Sequence, residues 1–201
     1  MQVFFYKRIG DYLLPSQEGD VIVTVSNFLI KVYDRNSGLE LKDVKFKLFG
    51  NEIPHLNKLK ELEKATGIDV DENYALAFPN PKIRILKLNQ LAGYVFEEHV
   101  YSVLSSYFNV KRYNNSGIMS LPKLGLTFHN TPDMLVEDKV VVEAKVGLYE
   151  LEQIRDYERR YSKGVIVFPW AGKCKTSRWV CFNYFLKDHE RVVRYIRSLI
   201  S

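Results

Sequence analysis

The sequence predicts an α+β protein, with a mixed sheet flanked by helices and a smaller β-rich region ahead of it. Three observations lead there. The first 50 residues repeat short β-branched and aromatic runs broken by turn residues. A long helical stripe of apolar residues follows, from about Lys82 to Phe108. Beyond it, two short apolar runs flank the polar segment Glu137-Asp138-Lys139 and predict a β-hairpin, with a helix and a strand after it.

The N-terminal elements follow from local composition. Val3–Tyr6, Val21–Val25, Phe28–Tyr33 and Val44–Phe49 are strand candidates. Gln17-Glu18-Gly19-Asp20 and Asn36-Ser37-Gly38 are the turns between them. His55–Thr66 predicts a helix with Leu56, Leu59 and Leu62 on one stripe and Gly67 as its stop. The break Ala77-Phe78-Pro79-Asn80-Pro81 sets a domain boundary, so residues 1–80 form an accessory or dimerisation region and residues 81–201 a second domain. A dimerisation role for the first would make the protein a homodimer.

In the second domain the long helix carries Ile85, Leu88, Ala92, Val95 and Phe96 on its apolar side. Glu97 neighbours Gly93, Val100 and Leu104 on the helix surface and so points toward the core, whereas Glu98 neighbours Tyr94, Tyr101 and Ser105. A carboxylate on the core side is costly unless it is paired or metal-bound. Asn109–Tyr113 predicts a strand, and residues 114–130, with Gly117, Pro122 and Gly125, a loop. After the hairpin come a helix over Leu148–Tyr161, a strand over Gly164–Pro169, a basic loop over Lys173–Arg178 and a strand over Trp179–Phe185. Asp188 caps a last helix whose Val192, Val193, Ile196 and Leu199 face the core.

The hairpin holds the chemistry. Glu143 and Lys145 are two apart in the strand Val140–Val146 and share one face of it. Asp133 opens the preceding apolar run. A two-residue loop at Glu137-Asp138 pairs Asp133 with Val142 and sends Asp133 and Glu143 to opposite faces. A three-residue loop, Glu137 to Lys139, pairs Val136 with Val140 and sets Asp133 opposite Glu143, about 5 Å apart at Cβ. Two carboxylates at that distance repel unless a cation lies between them. An oxygen-rich site with a lysine beside it suits Mg²⁺ or Mn²⁺. The plainer reading of the acid–lysine pair is a salt bridge.

Pro132-Asp133 followed by Glu143-Ala144-Lys145 resembles the PD-(D/E)xK nuclease superfamily. Gln153-Ile154-Arg155-Asp156-Tyr157 resembles the QxxxY motif of its RecB-like branch, and the chain as a whole resembles the RecB-like or Holliday-junction-resolvase-like branch. Gly93-Tyr94-Val95-Phe96-Glu97 resembles the glutamate of the preceding helix. The resemblance spans roughly residues 82 to 170 and implies a restriction-endonuclease-like αβββαβ core.

What the resemblance implies is a metal-dependent nuclease acting on DNA: an exonuclease, a flap nuclease or a branched-DNA resolvase. Asp133, Glu143 and the main-chain carbonyl of Ala144 would hold Mg²⁺ or Mn²⁺, with Glu97 adding a metal or water contact. Lys145 would orient the attacking water, and Gln153 and Tyr157 would bind phosphate or steady Lys145. Arg155, Arg159, Arg160, Lys173, Lys175 and Arg178 are candidates for gripping backbone phosphates. The alternatives are a DNA-binding or assembly protein with a non-catalytic nuclease-like fold, and a nuclease switched by a ligand of the N-terminal region.

Charge and composition narrow the partners. Residues 1–80 hold 10 Lys/Arg against 12 Asp/Glu, a net −2, and residues 81–201 hold 19 against 12, a net +7. The basic part is the part with the motifs, as a polyanionic partner requires. No run of apolar residues is long enough to span a bilayer and no signal peptide is evident, so the expected location is cytoplasmic, away from membranes. Four histidines, His55, His99, His129 and His189, lack zinc spacing. Cys174 and Cys181 are too few for the four-cysteine iron–sulfur cluster of some RecB-like nucleases and are expected as buried free thiols.

Overall fold

A computed structural model describes residues 1–26, 29–112 and 131–201. The expectations that touch Phe28, Tyr113, the loop over 114–130 and His129 lie outside the described residues. The chain is α+β, with two five-stranded mixed sheets and five helices among the described residues. It divides into two compact units, one of residues 1–64 and 69–92, the other of residues 65–68 and 93–201. The division at Ala92–Gly93 falls inside the long helix, downstream of the proline-rich break at Pro79–Pro81.

In the first unit, β1 (Gln2–Ile9), β2 (Tyr12–Pro15), β3 (Val21–Ser26), β4 (Leu29–Asp34) and β5 (Lys45–Phe46) form a sheet of order β4-β3-β1-β2-β5. All pairs are antiparallel except β2 with β5. Strand alternation sends Tyr6, Leu13, Val21, Val23, Val32 and Phe46 to one buried face. The other face remains open to solvent, with Val3, Phe5, Ile9 and Tyr12 exposed. The short β2 escapes the sequence pattern because Gly10 and Asp11 turn the chain after only one strand length; Gly10 has a φ of +59°.

Two helices follow: α1 (Ile53–Thr66), ended by Gly67 at φ +72°, and α2 (Asn73–Leu76). The helix α3 (Pro81–Ser105) starts in this unit and supplies Arg84, which is fully buried. Its guanidinium lies 3.0 Å from Glu52, also fully buried, and donates to the carbonyls of Phe78 (2.6 Å) and Lys47 (2.7 Å). It also stacks 4.4 Å over the ring of Phe49.

In the second unit, β6 (Val110–Arg112), β7 (Met134–Val136), β8 (Val140–Ala144), α4 (Leu151–Arg160), β9 (Gly164–Val167), β10 (Val180–Phe182) and α5 (His189–Ile200) follow the end of α3. The order from α3 to β9 is the helix, three strands, helix, strand read from the sequence. The sheet runs β10-β9-β8-β7-β6, with β6, β7 and β8 antiparallel and β8, β9 and β10 parallel. A parallel step needs a crossover, and α4 is that crossover between β8 and β9. Both faces of this sheet are buried, which explains the unbroken valine run of β8. Leu135, Val141 and Ile166 pack with Ile154, Tyr157, Phe168 and Trp179 on the side of α4. Gly164 is required beneath this cluster, since a Cβ there would meet the indole of Trp179 at 2.2 Å.

Cys174 and Cys181 are joined in a disulfide, with Cα atoms 5.9 Å apart, so the expectation of free thiols is corrected. The loop between β9 and β10 doubles back at Ser177–Trp179 and returns Cys181 to Cys174. Seven residues of separation suffice for that reversal.

Candidate active site

The hairpin settles the loop length. Val136 pairs with Val140, Leu135 with Val141 and Met134 with Val142, so the loop is the three residues Glu137–Lys139. Glu137 and Asp138 both take left-handed backbone conformations, at φ +49° and +55°, and Lys139 N–H donates to the Val136 carbonyl at 3.0 Å. Glu137 is fixed from outside the turn: its carboxylate accepts from Asn109 N–H at 2.7 Å and its own N–H donates to the Asn109 carbonyl at 2.9 Å. Those bonds offset the cost of a non-glycine residue in that region.

This register carries Asp133 and Glu143 to opposed positions at the hairpin end away from the turn. They clasp each other through the backbone. Asp133 N–H donates to Glu143 Oε1 at 3.0 Å, and Ala144 N–H donates to Asp133 Oδ2 at 2.9 Å. In a strand the carbonyl of a residue points to the same edge as its N–H, so the Ala144 carbonyl faces the Asp133 side as well. Lys145 Nζ stands 2.7 Å from Glu143 Oε2. Alternation directs Glu143 and Lys145 to the face covered by α4, where Gln153 and Tyr157 are waiting. The Gln153 amide donates to the Tyr157 hydroxyl at 3.0 Å, and that hydroxyl donates to the Thr131 carbonyl at 2.7 Å.

The electrostatics are those of crowded negative charge. Burial and then the neighbouring charge of Asp133 raise the Glu143 carboxyl to about 8, against the opposing pull of Lys145. Burial alone would lower the Lys145 ammonium, but the charges of Asp133 and Glu143 outweigh it and its pKa is raised. Burial and the Glu143 charge push the Tyr157 hydroxyl up to about 12, so it stays protonated and remains a donor. Glu97 is raised to about 7, first by burial and then by the charge of Asp133. Glu97 therefore lies in the field of Asp133. Glu98 is the stronger partner of Arg112, at 2.5 Å against 3.4 Å for Glu97.

Arg112 is the residue that sequence reasoning missed. It lies opposite Met134 across β6 and β7, stacks 4.4 Å over Tyr101, and lowers the charge repulsion on Glu97. Its signal was alternation along Val110–Arg112 next to the hairpin. The basic candidates are spread more widely. Arg155, Arg159, Lys173 and Lys175 are exposed. Arg160 pairs with Asp156 at 2.9 Å. Arg178 donates from its guanidinium to the Glu158 carbonyl, while the buried Glu158 carboxylate accepts from the N–H groups of Ser177 (2.9 Å), Arg178 (2.7 Å) and Trp179 (3.0 Å). Those three donors hold Glu158 below the usual carboxylate range against its burial.

Among the described residues, no three His, Cys, Asp or Glu side chains gather into a metal-binding cluster. The donors at hand are two carboxylates and a main-chain carbonyl. That set fits a hard cation such as Mg²⁺, which is commonly held by one or two carboxylates with water completing the shell. The charge that Asp133 presses on Glu143 is what a cation would relieve. No family model, curated protein or solved structure matches this chain.

Proposed function

We propose that the protein is a metal-dependent nuclease that hydrolyses phosphodiester bonds of DNA, built on a restriction-endonuclease-like core. The observation that carries this is the opposed pair Asp133 and Glu143 with Lys145 Nζ 2.7 Å from Glu143, backed by Gln153 and Tyr157. Mg²⁺ or Mn²⁺ held by Asp133, Glu143 and the Ala144 carbonyl would lower the pKa of water and neutralise charge on the phosphate. Lys145 is the group that would orient the attacking water and stabilise the charge that builds on the phosphate oxygens. Tyr157, tied to the Thr131 carbonyl, would steady Lys145, and the second N–H of the Gln153 amide would present a donor to the phosphate. Glu97, held near neutrality in its titration, is suited to accept a proton from water.

One observation favours a second reading, a non-catalytic DNA-binding fold: both Glu143 oxygens are already engaged, by Asp133 N–H and by Lys145. One assay separates the two. Purified protein is incubated with single-stranded, duplex, flap and four-way-junction DNA in Mg²⁺, Mn²⁺ or EDTA. Cleavage that needs the metal supports the nuclease; binding with no cleavage in any metal supports the second reading.

A further inference from the structure

The open face of the N-terminal sheet is aromatic and cationic together. Registers place Phe5 next to Ile22 and Tyr33 next to Ile22 on its other side, while Tyr12 lies against Ile9. Phe5 is 39% exposed and Tyr12 45%. Lys7 and Lys31 share that face by alternation, two residues from Phe5 and from Tyr33. Lys45 pairs with Tyr12 and so joins them. Arg35 hangs 5.3 Å over the Phe5 ring, and Lys47 hangs 5.5 Å over the Tyr12 ring.

Among the described residues, the five strands put no Asp or Glu at an outward position, and the carboxylate of this face is Glu40 at its edge, bridged to Tyr33. Asp34, the one strand carboxylate, is turned into the Ser37 turn, where it accepts from Ser37 N–H at 2.7 Å. Apart from Asp34 and the edge residue Glu40, the acids that give residues 1–80 a net −2 stand in turns, loops and helices. Net charge thus conceals a face with five cations against one edge carboxylate, Glu40.

We propose that this face is a binding platform for single-stranded nucleic acid. Unstacked bases have flat π-faces that exposed Phe5 and Tyr12 can take, and the cations match the phosphates between them. Arg35 and Lys47 are long enough to leave the rings for phosphate as bases replace them. A duplex offers its phosphates but keeps its bases stacked, so the rings gain nothing from it. A second copy of the chain would bring the same five cations against themselves, which charge repulsion disfavours. The platform is independent of whether the second unit cleaves.

The test uses the full chain in EDTA, with fluorescence anisotropy on a fluorescein-labelled oligothymidylate and on a labelled duplex. The triple variant Lys7→Glu, Lys31→Glu, Arg35→Glu is expected to bind the oligothymidylate at least ~10-fold more weakly, with a salt slope shallower by about 2. Phe5→Leu is expected to weaken it roughly tenfold while Phe5→Trp, which keeps a stacking ring, binds like the parent. The duplex should respond to the charge reversals and not to Phe5→Leu. The proposal is overturned if the parent does not bind the oligothymidylate. It is also overturned if the triple variant binds as the parent does, or if Phe5→Leu and Phe5→Trp behave alike. A triple variant that changes its mass by size-exclusion chromatography with unchanged binding would make a second copy the occupant instead.

Discussion

Each unit buries an acid–base pair, and the two pairs are opposite in character. In the first unit Glu52 and Arg84 are both fully buried, and Arg84 spends its other donors on two carbonyls and a ring. Burial pushes Glu52 up, but the Phe49 N–H and the Arg84 guanidinium prevail and its carboxyl is lowered. In the second unit Glu143 is also buried, and its carboxyl is raised, first by burial and then by the negative charge of Asp133. A structural pair is neutral as a set, one carboxylate to one guanidinium. The hairpin set has two carboxylates for one lysine, an imbalance that folding alone does not require and that a cation would cancel.

The difference can be pushed hardest by mutation. Arg84→Ala strands Glu52 in the core and should destabilise the protein by about 3–5 kcal/mol, measured by urea denaturation. Lys145→Ala should leave the fold and DNA binding in place while cutting cleavage by ~10²–10³, or roughly 3–4 kcal/mol, in single-turnover assays. Equal stability losses in the two would erase the distinction. Cys181→Ser, which opens the short disulfide loop, should cost about 2 kcal/mol by the loop-closure argument and leave Glu52 and Glu143 alone. The smallest stability effect is expected for Glu143→Gln: it removes a repulsion as well as an ion pair, so the change should stay under about 1 kcal/mol while metal binding fails.

Acidity sharpens the same contrast. Glu143 and Glu97 have folded-state pKa values near 8 and 7, above their unfolded values, so the folded state holds more protons than the unfolded one between them. Their contribution to stability is therefore complete below the unfolded value of 4.5 and is lost as pH rises from there to about 7 for Glu97 and about 8 for Glu143. In EDTA the Tm should fall across that window, and Mg²⁺, which competes with protons for the same oxygens, should flatten the fall. A Tm that falls equally with and without Mg²⁺ would count against a metal at Asp133 and Glu143.

Much of the hairpin was legible because period and loop length are local quantities. Two polar residues flanked by valines, with Lys139 as the third, left only two registers, and each decided the face of Glu143. The helix face of Glu97 was less legible, since it and Glu98 are 25% and 26% exposed and both reach Arg112. Arg84 was not legible, because an arginine on a helix reads as solvated until the carbonyls of Lys47 and Phe78 are known to converge on it. The disulfide was missed for a similar reason: the reversal at Ser177–Trp179 depends on Glu158, from α4, gripping three successive N–H groups. The open cationic face was hidden by summing charge along the chain when its cations are spread over three strands and the loops that flank them.

Gly164 and Trp179 tie two distant stretches of the chain into a single choice. Any side chain at 164 would occupy the volume of the indole, so the two positions are not free to drift independently. In a library randomised at both, a residue larger than glycine at 164 should survive only alongside a shrunken partner at 179. Shrinking that partner would also unseat the ring stacked against Tyr157, 6.5 Å away and nearly coplanar at 19°. Sequence variation at 164, a position with no side chain, is thus constrained by the placement of a hydroxyl that borders the acidic pair.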